Sequence, residues 1–453
     1  MPEKISSLYV HVPFCAQKCA YCAFYSEASS GEIINRYVAA LVREMEMVAG
    51  DLKPETIFFG GGTPSLLNLR QWETILRAME KLDLLGAPEF TVECNPATVS
   101  LDKAKLLRDF GVNRISMGVQ SLDEALLERL GRIHSREQVF KSFDILRRAN
   151  FDNLNLDLMF AIPRQTMEIW RETLREALAM QSEHLSSYEV IYEDDTPLFH
   201  QLKAGEFDVD EDLGCDMYEE LVSHAGAAGL RQYEVANFAR DGCQPALHEP
   251  PRTKSSGDCH SHPSPSVSLP VEGRGKPNSF GSRKFRVQGH DARRKGVEDP
   301  REPTLSHKRT PTDTTGEIPS FACRHNVNYW RGGSFYGLGP SATGYVRGVR
   351  TKNWSNTQLY CEQLESGKRA IESGETLPPL KRAGETAAFG LRMVAGWPFE
   401  EFRRATDFDL RENWNSEMNE LSARGWGRIS SDNFRLTREG LRFADAAAEM
   451  FLR

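Results

Sequence analysis

The sequence predicts an α/β protein: a parallel sheet, open or partly closed into a barrel, with a small helical or winged-helix-like domain at its C-terminal end. Three observations carry this. Six short β-branched or aromatic runs alternate with amphipathic stretches through the first half of the chain, the pattern of a parallel sheet covered by helices. The character of the sequence then changes abruptly between Gln244 and Ser320. Finally, the stretch after about Pro378 has helical periodicity, broken by one short β element near Trp426–Arg435.

In order along the chain, the predicted strands are Leu8–Val12, Thr56–Phe59, Phe90–Glu93, Arg114–Val119, Leu154–Leu158 and Leu185–Val190. Between them lie stretches with apolar residues at helical spacing, such as Ile33–Val48, Arg70–Leu82, Asp102–Phe110 and Ser135–Arg148. Residues 1–243 are therefore assigned to the core. Residues 244–320 hold 11 of the chain's 23 prolines, 13 Lys/Arg against 9 Asp/Glu, and neither Trp nor Tyr. So little apolar surface cannot offset ordering entropy, and the segment is expected to be a disordered insertion. Its Cys259-His-Ser-His262 lacks a second half-site at zinc-finger spacing. Residues 321–377 continue the core, and 378–453 form the C-terminal domain.

The bulk numbers narrow the function classes. A net charge of -8 argues against a protein that grips nucleic acid through phosphate contacts. No apolar run approaches the roughly 20 residues of a membrane span, so no stable membrane insertion is expected. The N-terminus lacks the pattern of a signal or transit segment, and the expectation is a cytoplasmic protein. Nine cysteines in such a chain point to metal, cluster or reactive thiols before disulfides. Six are scattered and are expected to be small buried hydrophobes.

The other three are Cys15, Cys19 and Cys22, a Cys-x3-Cys-x2-Cys array directly after the first strand. Electron-transfer [4Fe–4S] clusters take four protein thiolates. Three close ligands leave one iron open, as chemistry on a bound molecule requires. Structural zinc takes four ligands, and the only nearby candidate for a fourth is His11, so the cluster is favoured. Three glycines, Gly60, Gly61 and Gly62, with Thr63 follow the second strand, where exposed amides and carbonyls can grip a cofactor. Glu93, Gln120 and Asp157 end or lie within the next three strands. Ligands of parallel sheets sit at such strand ends. Each could equally be a helix cap or a satisfied core group.

Taken together, His11-Val-Pro-Phe-Cys15 with its array, Gly60-Gly-Gly-Thr-Pro-Ser, Glu93-Cys-Asn-Pro and Ser116-Met-Gly-Val-Gln-Ser resemble the radical-SAM coproporphyrinogen oxidase superfamily. The resemblance implies a partial (β/α)6 barrel, a [4Fe–4S] cluster on Cys15, Cys19 and Cys22, and S-adenosylmethionine chelated to the open iron as the source of a 5′-deoxyadenosyl radical. It also implies cofactor contacts at Tyr9, Gly61, Gly62, Thr63, Glu93, Gln120, Arg132 and Asp157. After Arg132 the spacing departs from the oxidase pattern.

Two subgroups compete within that superfamily. The oxygen-independent oxidases resemble Cys-x3-Cys-x2-Cys-x-Cys, whereas Phe24 stands here in place of the last cysteine. Phe24, the 14 residues before Cys15, Tyr233-Glu-Val-Ala-Asn-Phe and His325-Asn-Val-Asn-Tyr-Trp330 resemble the HemW-like haem chaperones. That resemblance implies haem as cargo, haem-accepting respiratory proteins as partners and an electron donor. The alternatives are oxidative decarboxylation of a porphyrinogen, and a cluster serving electron transfer only. His325 is a possible haem contact, since a neutral imidazole ligates iron and flanking aromatics pack on a porphyrin. It is equally a core histidine.

Overall fold

The computed structural model describes residues 3–28, 30–242 and 318–452. The predicted insertion, Cys243 and Cys259-His-Ser-His262 lie almost wholly outside them. Its last three residues are described. Ser320 Oγ accepts from Gly242 N at 2.7 Å and Ser320 N donates to Asp241 Oδ1 at 3.3 Å, so residues 242 and 320 are neighbours in space.

The six predicted parallel strands form as β1 (Ile5–Val12), β2 (Leu52–Gly61), β3 (Glu89–Cys94), β4 (Arg114–Gln120), β5 (Leu154–Phe160) and β6 (His184–Glu189). The interleaved helices are α1 (Gly31–Val48), α2 (Leu69–Lys81), α3 (Leu101–Asp109), α4 (Glu124–Arg129), α5 (Arg136–Arg148) and α6 (Met167–Ala179), followed by α7 (Pro197–Lys203) and α8 (Glu211–Ala227). Local chemistry starts them: Asn68 with Gln71 and Ser135 with Gln138 form capping boxes ahead of α2 and α5. Strand interiors such as Ile57–Phe59 are buried, as helices on the sheet require.

The sheet is larger than the six-strand expectation. β7 (Arg231–Glu234) and β8 (Asn237–Ala239) add antiparallel beyond β6. At the other edge β9 (Tyr336–Leu338), more than 300 residues along the chain from β1, lies parallel to it, giving the order β7-β8-β6-β5-β4-β3-β2-β1-β9. No closing pair joins the two edge strands among the described residues, as in a partial barrel.

α9 (Arg324–Trp330) leads into β9. A separate antiparallel sheet follows, β10 (Thr343–Val346), β11 (Val349–Asn353) and β12 (Ile371–Thr376), with α10 (Thr357–Glu365) between its last two strands. A buried carboxylate ties this region to the barrel. Glu44 of α1 accepts from Gly339 N at 2.8 Å, Asn353 Nδ2 at 2.8 Å and Tyr360 Oη at 2.7 Å, and burial pushes its pKa up.

From α11 (Pro379–Gly390) onward short helices pack around Trp397, Trp414, Phe434 and Phe451. The expected β element is present as β14 (Gly427–Ile429) and β15 (Asn433–Leu436), with β13 (Trp397–Pro398) beside β15. The Tyr233–Phe238 block joins this unit to the barrel. Glu234 is fully buried, accepts from Arg392 Nε at 2.8 Å and Asn237 Nδ2 at 2.6 Å, and backbone bonds link Val235 to Arg392 and Val394 to Tyr233.

Candidate cluster and cofactor site

The three cysteines sit on the loop between β1 and α1. The loop is closed at its neck by Cys15 N to Glu27 O (3.1 Å) and Glu27 N to Pro13 O (2.8 Å). Its tip is tied down by Ala20 N to Leu130 O and Leu198 N to Ala20 O, both 2.9 Å. Cys15, Cys19 and Cys22 are all free and partly exposed. Burial, together with the neighbouring Cys19 and Cys15, pushes the Cys22 thiol up to about 12, so a metal must displace its proton.

Among the described residues no three His, Cys, Asp or Glu side chains converge on a single-ion site. Thiolates bound to different irons of a cubane stand further apart than the ligands of one tetrahedral ion. His11 is no fourth ligand here. Its Nε2 donates to Tyr25 O at 2.9 Å, which leaves Nδ1 to accept from Tyr9 Oη at 3.0 Å. Burial lowers its pKa to about 4, keeping the ring neutral. Three cysteines with no fourth donor among the described residues fit a cluster with one open iron better than zinc.

The glycine loop is anchored through its amides. Gly62 N donates to Val12 O at 2.8 Å and Thr63 N to Phe14 O at 2.7 Å, while Gly61 N donates to Glu93 Oε2 at 3.1 Å. These three amides are bonded inside the protein rather than presented to a ligand. At Gly61 and Gly62, the end of β1 and the start of the cysteine loop leave no room for a side chain. A Cβ on Gly61, whose φ is +105°, would stand 2.5 Å from the His11 ring, and one on Gly62 would stand 2.7 Å from Phe14 O. Thr63 Oγ1 lies 3.5 Å from Cys15 Sγ.

The remaining predicted contacts converge on the same strand ends. Glu93 ends β3 beside Gly61. Gln120 ends β4 at a bulge, with φ +66°, which takes its side chain out of the ladder alternation. A Cβ on Gly118 would lie 3.0 Å from Gln120 Nε2 and 3.2 Å from Arg132 Nη2, so the two side chains share one spot. Arg132 donates from Nη2 to Gly118 O at 2.6 Å and from Nη1 to Cys19 Sγ at 3.4 Å, and its buried Nε has no partner among the described residues. Asp157 accepts from Ser116 Oγ at 2.8 Å and Asn155 Nδ2 at 2.6 Å. Burial nevertheless raises its pKa to about 6. Tyr9 gives its hydroxyl to His11, and its ring stacks on Phe58 at 6.1 Å.

Behind the rim lies a polar interior that motif reasoning missed. Asn155 Oδ1 accepts from His184 Nδ1 at 3.1 Å, so His184 Nε2 accepts from Tyr233 Oη at 3.0 Å, and that hydroxyl takes Cys323 N at 3.1 Å. Arg114 is fully buried, gives Nη1 to Thr91 Oγ1 at 3.2 Å, and has no partner for Nε or Nη2 among the described residues. The available signal was period-two polarity on β4, β5 and β6: Arg114 and Ser116, Asn155 and Asp157, His184 and Ser186.

His325 is placed deep in the core. α9 sets His325 and Tyr329 four residues apart on one face, and Glu89 accepts from Arg324 N and His325 N, both at 2.9 Å. Thr56 Oγ1 gives its hydrogen to Ser7 and accepts from His325 Nδ1 at 2.8 Å; Nε2 then accepts from Tyr329 Oη at 2.7 Å. Burial and Arg114 lower the His325 pKa to about 3. Its ring stacks on Phe58 at 5.2 Å, continuing the column from Tyr9 toward Tyr329 and Phe335.

Fold and site together define a partial-barrel protein that carries its chemistry on a three-cysteine loop at the strand ends. Residues 9–177 match the radical SAM superfamily model and residues 377–443 the HemN C-terminal domain. The chain thus contains a radical SAM domain followed by a HemN C-terminal domain. It is 29% identical to the heme chaperone HemW of Lactococcus lactis over 100% of this chain and 98% of that one. It is 28% identical to the Escherichia coli heme chaperone HemW over 98% of each. In fold it is similar to the coproporphyrinogen III oxidase HemN of Escherichia coli, with a TM-score of 0.70, 18% identity, and coverage of 100% of this chain and 91% of that one.

The family implies S-adenosylmethionine and a [4Fe–4S] cluster, and the residues fit. Cys15, Cys19 and Cys22 would hold the cluster, and Glu93, Gln120, Arg132 and Asp157 would contact the cofactor. Cys19→Ala is expected to abolish cluster retention, checked by iron and sulfide content after anaerobic reconstitution. Full iron content in that variant would refute the ligand assignment.

Proposed function

We propose that this chain is a HemW-like haem chaperone, one that binds haem and passes it to haem proteins on a radical-SAM scaffold. The observation that carries this is the similarity to haem chaperones along the whole chain, both matched domains included. Phe24 supports it, because the oxidase pattern has a fourth cysteine there. When bound, the cluster with S-adenosylmethionine supplies a redox-active open iron. Cys15, Cys19 and Cys22 hold it, Arg132 compensates thiolate charge at Cys19, and Glu93, Gln120 and Asp157 orient the cofactor's polar groups. Respiratory haem proteins as recipients, an electron donor and a cytoplasmic place complete the proposal. No helix among the described residues is long and apolar enough to cross a membrane.

His325 is the haem ligand in this proposal, and its Nε2 carries the lone pair now shared with Tyr329 Oη. Ligation therefore requires that hydrogen bond to open. The test is hemin titration of cluster-reconstituted protein, followed by transfer to an apo haem protein, with coproporphyrinogen III, S-adenosylmethionine and reductant run in parallel. Haem uptake and transfer without decarboxylated product is the expected result. Product at the rate of a genuine oxidase would make this an oxidase instead. His325→Ala is expected to change the haem spectrum and weaken retention, and an unchanged spectrum removes His325 as the ligand.

A further inference from the structure

Between α9, the β10–β11–β12 sheet and α11 lies a cleft of about 680 Å³, counting the solvent space at its mouth. Its walls are aromatic: Tyr329, Trp330, Phe335, Tyr345 and Phe389. Phe389 is 41% exposed and lies 6.3 Å from the Trp330 ring. Two further features set this cleft apart from a packing defect. Trp330 Nε1 and Thr343 Oγ1, on side chains at most 7% exposed, have no hydrogen-bond partner among the described residues, although buried donors are normally satisfied. The cleft also carries cations. Arg350 is spent on Glu375 and Glu385, whereas Arg382 makes no ion pair among the described residues.

Arg382 lies against the turn that joins β10 and β11. β10 and β11 are joined by Arg347 and Gly348, both at positive φ (49° and 87°), the two-residue hairpin turn that matches strand twist. A Cβ on Gly348 would lie 2.5 Å from Arg382 Nη1, so the guanidinium rests directly over this turn. The cleft is also one side chain from the buried imidazole. Tyr329 lines it and at the same time bonds His325 Nε2.

We propose that this cleft is the tetrapyrrole site: the aromatic walls hold a flat macrocycle, and Arg382 takes one of its carboxylates. The inference rests on the haem-carrying reading and adds to it a location and a carboxylate-reading residue. Flat aromatic surface matches a planar ring, and a planar guanidinium matches a carboxylate. A porphyrinogen, whose ring is not conjugated through, presents no such flat face.

The test uses full-length, cluster-reconstituted protein with three probes: hemin, iron-free protoporphyrin IX and protoporphyrin dimethyl ester. Protoporphyrin binds without iron ligation and so reports on the cleft apart from His325. Arg382→Glu is expected to weaken hemin and protoporphyrin at least tenfold, Arg382→Lys to retain much of the affinity, and the ester to bind wild type and Arg382→Glu alike. Phe389→Ala, at an exposed ring, is expected to weaken all three. Wild-type binding of hemin and protoporphyrin that Arg382→Glu and Phe389→Ala leave unchanged overturns the cleft assignment alone. Wild-type protein that binds no hemin overturns the haem-carrying reading, and the cleft assignment with it.

Discussion

Gly61→Ala is expected to unseat the cluster loop. At φ +105° an L-residue is strained, at a cost of about 1–3 kcal/mol. The new methyl would also stand 2.5 Å from the His11 ring, and overpacking of that kind costs about 1–3 kcal/mol more. His11 cannot yield cheaply, because its two nitrogens tie Tyr9 to Tyr25 on the cysteine loop. The expected result is a loss of roughly 3–5 kcal/mol in denaturant unfolding, with lowered iron content. Gly86→Ala is the matched control: φ is +89° there and nothing lies within 4 Å, so only the strain remains. Equal losses in the two variants would mean that the contact with His11 contributes nothing.

Acid is expected to destabilise the protein through its buried histidines, and His134 isolates the effect. His134 is 3% exposed, donates from Nε2 to Val119 O at 3.1 Å, and carries a buried Nδ1 without a partner among the described residues. Burial, and after it Arg132, lowers its pKa to about 3, and His325 is held equally low. The unfolded chain takes up these protons below pH 6.5 while the folded chain refuses them down to about 3. Stability is therefore complete above pH 6.5 and falls with pH across that window, by about 1.4 kcal/mol per pH unit for each histidine. Asp157 opposes them: with a folded pKa of about 6 it gains stability as pH falls from 6 toward its unfolded value near 4. His134→Gln keeps the donor to Val119. It should flatten the stability profile between pH 6.5 and 4 by about 1.4 kcal/mol per pH unit. Parallel profiles for variant and wild type would show that His134 is not held neutral.

What was legible from residues follows physical range. The parallel strands β1–β6, the cysteine loop and the short C-terminal sheet were read from local signals, namely periodicity, ligand spacing and turn residues. The glycines at 60–62 were marked for close backbone approach, and the fold shows what approaches Gly61 and Gly62. Whether a glycine faces a ligand or a neighbouring loop depends on what packs over it, and here Val12 O, Phe14 O and the His11 ring do. β9 was missed because its three residues carry little pattern and its partner, β1, lies more than 300 residues away in sequence. Arg114 and His184 were missed because polar residues in strands read as solvent-facing until both faces of the sheet are known to be covered.

The sequence by itself determined the chemistry available: three thiols at cluster spacing, a strand-end rim of Glu93, Gln120 and Asp157, and an imidazole among aromatics at 325–330. These are statements about residue type and local order, which a chain carries in any conformation. Only the tertiary structure decided which of them meet. It brings Arg132 to Cys19, closes His325 between Thr56 and Tyr329, sets an aromatic column from Tyr9 to Phe335, and places Arg382 against the Gly348 turn at the mouth of an aromatic cleft. Each of these pairs residues far apart in the chain or on different elements, and such contacts are chosen by burial and hydrogen-bond satisfaction over the whole molecule rather than by any local pattern.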